Sequence, residues 1–371
     1  MNEIRVCNRC VMDNKSDEYI SFDEEGYCNY CINALNTLNE RYFPNDVGEA
    51  KLNSLVLRLK EEGQGKKYDC LMGLSGGLDS SYLAYLGTKW GLRIFAVHID
   101  DGFDTEVAKT NLEKLCKAAN IELIVEKPND NQFNDLTRSY ILAEVPNIAI
   151  PQDNILSACL FKIAKKHGIR TFLSGGNFSL ESVLQKGNTY AAFDVVNIKA
   201  IHRKFGTGKI DKLPLQSVFK KRVVYGCFYR TNTVKPLDYI DYNRERAINE
   251  LRKFCGFEYY GSKHLENTLT KVIQLYWFFH KFDVDKRKSH LSSMIVSGQM
   301  SRDEALEELQ KPPYNKVEME ADIEVVLKAL KFSREKFDEI IHRKGKKHTD
   351  YRTSKIEKLI HHPLLNKIRK I

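Results

Sequence analysis

The stretch Tyr68-Asp69-Cys70-Leu71-Met72-Gly73-Leu74-Ser75-Gly76-Gly77-Leu78-Asp79-Ser80-Ser81-Tyr82-Leu83-Ala84-Tyr85-Leu86 changes character twice. Tyr68–Leu74 is a short apolar run of the kind a buried strand requires, and from Ser80 the apolar positions recur at helical spacing. A strand therefore feeds a glycine-rich turn that opens a helix. Paired glycines admit phosphate oxygens close to the backbone, and a helix start offers unpaired N–H groups and a positive dipole end. Ser75, Gly76, Gly77 and Ser80 are thus expected to cradle an anion. Asp79 fits beside phosphates only with a divalent cation between them, as magnesium-bound triphosphate supplies.

The surroundings repeat the pattern. A second strand is expected at Arg93–Ile99, helices at Glu106–Asn120 and Asp153–His167, and strands at Ile121–Glu126 and Arg170–Leu173. Alternating strands and helices build a parallel, doubly wound α/β sheet whose ligands sit at the carboxyl ends of its strands. That edge collects Ser75–Ser80, His98–Gly102 and the turn Ser174-Gly175-Gly176-Asn177. The loop is not a Walker A motif, since Gly-x4-Gly-Lys-Ser/Thr is absent. In its strand–loop–helix context Ser-Gly-Gly-Leu-Asp-Ser resembles the PP-loop ATP pyrophosphatases, the adenine nucleotide alpha hydrolase superfamily. The resemblance implies that ATP binds with its adenine near His98 and Ile99, with Asp100 or Asp101 close by. It also places Gly175 and Gly176 near the alpha phosphate, and implies cleavage to AMP and pyrophosphate.

Cys7-Asn8-Arg9-Cys10 and Cys28-Asn29-Tyr30-Cys31 are two Cys-x2-Cys knuckles at the spacing of a four-cysteine zinc site. Four thiolates leave no open coordination position, so the zinc is expected to be structural. Residues 1–45 read as a zinc ribbon, 46–235 as the PP-loop domain, and 236–371 as a helical domain for substrate or partner. Within the last, Ser301-Arg302-Asp303-Glu304 reads as a capping box, and Pro312-Pro313 separates it from the helices of Ile323–Ile341.

At 371 residues the chain has ample length for two or three domains. It shows no apolar leader and no apolar span of membrane length, and its nine cysteines suit a reducing compartment, so a cytoplasmic protein is expected. The net charge of +9 is local. Arg343–Ile371 sets ten Lys/Arg against Asp350 and Glu357, and Ile198–Arg222 sets eight against Asp211. The second cluster surrounds Phe205-Gly206-Thr207-Gly208, for which an anionic ligand is expected.

The nucleophile is narrowed by absence. Cys70, Cys116, Cys159, Cys227 and Cys255 are scattered and form no pair for sulfur transfer, which favours ammonia. No Gly-x-Cys-x-Gly elbow or N-terminal cysteine supplies a glutaminase, so a separate one is expected. Val6–Asp13, the knuckle at Cys28, the loop at Ser75 and Lys286-Arg287-Lys288-Ser289-His290-Leu291-Ser292-Ser293 together resemble the N-acetyl sugar amidotransferases. That resemblance implies conversion of an acetamido group on a sugar to acetamidino, in surface polysaccharide, LPS O-antigen or nonulosonic acid biosynthesis. The implied acceptor is a nucleotide-activated or acidic acetamido sugar. The implied partners are a glutaminase of the histidine-biosynthesis type and its cyclase-like companion, with no membrane and no nucleic acid. Lys286, Arg287 and His290 are expected to meet the acceptor's anionic group, Lys286 and Arg287 acting beside Ser75 and Asp79 in catalysis. The competing reading is a tRNA-modifying PP-loop enzyme of the thiolation or lysidine type, which a zinc ribbon and basic tail would also suit.

Overall fold

In the computed structural model of the protein, which describes residues 3–15, 17–261 and 265–355, five short strands form one parallel sheet. They are β1 (Cys70–Gly73), β2 (Ile94–Ile99), β3 (Glu122–Glu126), β4 (Thr171–Leu173) and β5 (Asn232–Val234), in the order β3-β2-β1-β4-β5. β1 and, up to His98, β2 are apolar and buried because both faces of a parallel sheet are covered. Cys70, Met72, Ile94 and Ala96 pack with Leu59, Leu83, Leu115 and Leu251 on one side. Leu71, Phe95 and Val97 pack with Phe161 and Ala164 on the other.

The N-terminal knuckles lead into α1 (Asn29–Arg41) and α2 (Asp46–Glu62). The sheet is then interleaved with α3 (Leu78–Lys89), α4 (Glu106–Ala119), α5 (Asp130–Ala143), α6 (Ile150–Lys166), α7 (Phe178–Glu181) and α8 (Val195–Phe205). After β5 come α9 (Arg244–Cys255), α10 (Thr268–Val272), α11 (Phe278–Phe282), α12 (Arg287–Val296), α13 (Arg302–Gln310), α14 (Lys316–Ala329) and α15 (Arg334–His342). The Ser301–Glu304 capping box forms as expected, and Thr105 caps α4. Sequence patterning missed α5 and β5. The first is half polar, and the second, Asn232-Thr233-Val234, is an edge strand too short to show a period.

Strand numbering runs outward in both directions from β1, so the sheet has a topological switch point between β1 and β4, where α/β folds bind ligands. The hydrophobic cores cross the expected boundary at residue 236. Leu237, Tyr242, Leu251 and Phe257 belong to the sheet core, while Phe133, Tyr140 and Ile201 share a core with Trp277, Ile323 and Phe337. Lys281, its side chain wholly buried, ties the same two regions by donating to Glu144 at 3.2 Å and to the Ile340 carbonyl at 2.5 Å.

The glycine loop at 205–208 finds its anion within the chain. Asp135 on α5 accepts from the Thr207 and Gly208 amides at 3.0 and 3.1 Å, from the Thr207 hydroxyl at 2.8 Å, and from His202 at 2.8 Å. Burial acts against the Asp135 charge, but these bonds outweigh it and hold its pKa below the usual range. The expected external anion is therefore replaced by a carboxylate distant in sequence. The basic tail from Ile356 lies outside the described residues.

Candidate active site

Two adjoining cavities open at the switch point. The smaller, about 180 Å³, is lined by Ser75, Gly77, Asp79, Ser80, Gly175 and Gly176 together with Arg244 and Tyr259. Gly77, the residue before α3, has no side chain to cap it, and the Tyr260 hydroxyl accepts from the Leu78 amide at 2.9 Å; the first turn carries Asp79 and Ser80 at this cavity. Gly175 is required by close approach, because an added Cβ would stand 2.9 Å from the Ser80 amide nitrogen. Gly76 lines neither cavity. Its φ of +78° and the Ala108 carbonyl, 2.5 Å from where a Cβ would stand, make it the residue that lets the loop turn against α4. The buried Tyr242 hydroxyl donates to the Asp79 carboxylate, fixing its direction. Burial first, and the Asp79 charge second, push the Tyr242 phenol well up, so it stays a donor.

The larger cavity, about 490 Å³, shares Ser75 and Glu266 with the smaller. The Ser75 hydroxyl donates to Glu266 at 3.0 Å, and burial raises the Glu266 pKa. His98 and Ile99, at the end of β2, line this cavity. Both His98 ring nitrogens are engaged, with the Leu74 carbonyl at 2.7 Å and Asp104 at 2.9 Å. Burial opposes a charge on His98, but the Asp104 carboxylate outweighs it, and the pKa rises. His98 thus pins the turn after β1 to the end of β2.

Asp100 is not brought to either cavity; its carboxylate accepts from the Gly102 amide at 2.9 Å and closes that turn. Asp101 does line the larger cavity, but Gln152, Asn267 and the Phe103 amide hold it at 2.5, 2.9 and 3.0 Å. Burial and the neighbouring Asp104 push Asp101 up to about 6.

Lys286 enters the larger cavity just before α12, with Phe278 beneath its ammonium at 5.4 Å. It has no hydrogen-bond or ion-pair partner among the described residues, and burial lowers its pKa. Arg287 turns away. Its guanidinium holds Asp285 at 2.7 Å and the carbonyls of Glu308 and Lys311 at 3.2 and 2.8 Å, closing the end of α13, so the expected role at the acceptor is corrected to a structural one. His290 lies outside both cavities, with Nδ1 facing the Leu180 carbonyl at 3.3 Å.

The expected metal ligands converge. The sulfurs of Cys7, Cys10, Cys28 and Cys31 are fully buried and all lie within 4.8 Å of one another. Separations of 3.7 Å (Cys7–Cys31) and 3.6 Å (Cys10–Cys28) match the ~3.8 Å edge of a tetrahedron with metal–sulfur bonds of about 2.3 Å. Amides of Cys10 and Cys28 point at the Cys7 sulfur, the donor arrangement that thiolates favour. The module seats on the C-terminal helices: the Val11 amide donates to Ser292, Lys288 pairs with Asp13, and Arg302 reaches the carbonyls of Cys7 and Cys10 at 3.1 and 3.2 Å.

Sequence reasoning passed over Gln152, Asp153, Tyr242, Arg244 and Glu266. Three polar residues directly after Pro151, at the head of the apolar helix α6, were the one available signal. Among the described residues no helix is long and apolar enough to cross a membrane.

Residues 266–365 match a family described as LPS biosynthesis protein WbpG-like, C-terminal domain. The chain is 27% identical over 121 residues to the uncharacterized protein MJ1599 of Methanocaldococcus jannaschii, spanning 32% of this chain and 41% of that protein. Similar solved structures include an NH3-dependent NAD synthetase from Campylobacter jejuni, with 16% identity and a TM-score of 0.29 over 42% of this chain and 72% of that one. They also include an NMN synthetase from Francisella tularensis, with 19% identity and a TM-score of 0.28 over 59% and 90%. The fold assignment rests on the sheet itself. The chain thus sets four clustered cysteines and a Ser-Gly-Gly-Leu-Asp-Ser loop ahead of a C-terminal segment similar to the LPS biosynthesis protein WbpG-like family.

Proposed function

We propose that the protein is an ATP-dependent amidotransferase of LPS or related surface-sugar biosynthesis. It adenylates the acetamido oxygen of an N-acetyl sugar and replaces that oxygen with ammonia. The observation that carries this reading is the junction of the two cavities. The phosphate-loop pocket and the larger cavity meet at Ser75 and Glu266, and Glu266 opens the WbpG-like segment, which supplies Thr270, Phe278 and Lys286 to the cavity wall.

In this reading the ATP phosphates lie along Ser75, Gly77, Ser80, Gly175 and Gly176, with the adenosine toward His98 and Ile99. Asp79, oriented by Tyr242, is the residue that would hold magnesium, which neutralises phosphate charge when bound. The Cys7, Cys10, Cys28 and Cys31 set would hold zinc as a structural tie. Lys286, the cation in the larger cavity with no partner among the described residues, receives the acceptor's acidic group. Catalysis is then mostly orientation and charge stabilisation. No cysteine lines either cavity among the described residues, which favours ammonia over a sulfur nucleophile. A separate glutaminase as the ammonia source belongs to the same proposal.

The test incubates the protein with ATP, magnesium, ammonium and a panel of acidic or nucleotide-linked acetamido sugars. Mass spectrometry should find oxygen replaced by NH, with heavy oxygen placed in the acetamide recovered in AMP. ADP as the product, or label absent from AMP, would overturn the proposal.

A further inference from the structure

We propose that Glu266 is the catalytic base of the amination step: at the seam of the two cavities its carboxylate holds the incoming ammonia and takes a proton from it after attack. This rests on the amidotransferase reading above. Among the described residues Glu266 is the one acid that lines both cavities. Its Oε1 accepts from the Ser75 hydroxyl at 3.0 Å and lies 2.5 Å from where a Cβ on Gly77 would stand, so the carboxylate rests on the phosphate loop itself. Its Oε2 is buried with no hydrogen-bond partner among the described residues. The backbone beneath is fixed. The Glu266 carbonyl accepts from the Thr105 amide at 3.0 Å and the Thr105 hydroxyl at 3.1 Å, and the Thr268 amide donates to the Phe103 carbonyl at 2.7 Å. A side chain on so rigid a support is held to one place.

A count of donors points to the ligand. Asp101 and Asp104, on the wall of the larger cavity, are already held, the first by Gln152, Asn267 and the Phe103 amide, the second by His98 and Asn267. Glu266 has only Ser75 on Oε1, and a buried carboxylate oxygen left without a donor is costly. Once ATP phosphates lie along the loop, the Ser75 hydroxyl has a phosphate oxygen to donate to, and both Glu266 oxygens are short of a donor. Ammonia answers that need, since it is small and presents N–H groups everywhere but at its lone pair. Burial outweighs the bonds that favour the Glu266 charge and raises its pKa, which makes it the readier to accept a proton. When ammonia's lone pair forms the C–N bond to the adenylated acetamide carbon, the nitrogen becomes an ammonium centre and would be the better leaving group. Transfer of one N–H proton to Glu266 prevents that reversal. The C–O bond to AMP then breaks, the former acetamide oxygen leaves with AMP and the bonding electrons, and the amidinium product remains. Glu266 passes its proton on to water.

The experiment compares Glu266→Gln with the wild type in two assays: isotope exchange between pyrophosphate and ATP in the presence of the acetamido sugar, and amidine formation with ammonium. Glutamine can still accept from Ser75 but cannot take a proton, so it should lower amidine formation about a hundredfold or more relative to exchange. Hydroxylamine in place of ammonium, whose adduct loses its proton readily to water, should narrow that gap. Glu266→Asp, its carboxylate withdrawn by one methylene, should show a smaller loss of the same kind, and it carries the comparison should the glutamine variant fail to fold. Equal loss in both assays, as a residue serving only ATP or magnesium would give, an unchanged ratio, or a gap as wide with hydroxylamine would overturn the assignment. Absence of exchange in the wild type with every sugar would instead overturn the adenylation reading, and this assignment with it.

Discussion

Gly175→Ala probes the seam between the two phosphate loops. The added methyl would stand 2.9 Å from the Ser80 nitrogen, 3.0 Å from the Asp79 carbonyl carbon and 3.1 Å from the Ser80 Cα. Ordinary contact begins near 3.4 Å, and all three neighbours are backbone at the head of α3, so no side chain can swing aside. The loops must part by a few tenths of an ångström. Overpacking of this kind costs ~1–3 kcal/mol. If the free protein relieves the strain by opening the seam, the loss falls on nucleotide binding, a weakening of about 5- to 150-fold. If it does not, the loss appears as a lower Tm. Gly176→Ala is the control, since its methyl would meet only the ends of Glu181 and Lys235 at 3.0 and 3.2 Å, both of which can move. Calorimetric titration with an ATP analogue resistant to alpha–beta cleavage, beside thermal melts, measures both quantities. A Gly175→Ala protein with wild-type affinity and wild-type Tm would refute the reasoning, as would a Gly176→Ala protein whose Tm falls equally.

Asp79→Asn should abolish AMP formation while leaving the melting curve near that of the wild type, because asparagine can still accept from Tyr242; a comparable loss of folding would contradict a role in magnesium binding. Lys286→Ala should raise the KM of an acidic acetamido sugar roughly 10- to 100-fold without changing that of ATP, the size expected for a charge-assisted bond; steady-state kinetics with each substrate varied decides it. Cys7→Ser should lower bound zinc and Tm together, read by metal analysis and calorimetry, and retention of a full zinc equivalent would count against the four-thiolate site. His348 is buried against Tyr190 with ring centroids 4.4 Å apart, and burial holds its pKa down at about 3. As pH falls from 6.5 the unfolded chain takes up a proton that the folded chain refuses, so stability should drop by at most about 1.4 kcal/mol per pH unit toward 3. Urea midpoints measured across that window should show a flatter acid limb in His348→Gln.

What was legible in the sequence followed from chemistry local to a short segment. The strand before Ser75, the glycine turn, the paired cysteine knuckles and the Ser301 capping box each announce themselves within a few residues, and each is where expected. The misreadings concern charges. A run of basic residues says nothing about which cations are already satisfied, and Arg287 is satisfied by Asp285 and the carbonyls at the end of α13. Likewise the amides of Thr207 and Gly208 invite an anion, but the one that answers is Asp135, supplied by a half-polar helix that patterning missed. Glu266 could not be read as a wall of the phosphate pocket, because its contact with Ser75 spans 191 positions and depends on the whole helical half folding back across the sheet edge.

That folding back has a practical consequence. Since Phe133, Tyr140 and Ile201 complete their packing only against Trp277, Ile323 and Phe337, a gene split at residue 236 would leave each fragment with a greasy wound and no mate. Separately expressed halves should be insoluble, co-expression should rescue them, and a recombination event could exchange the sheet and the C-terminal helices only as one inherited block.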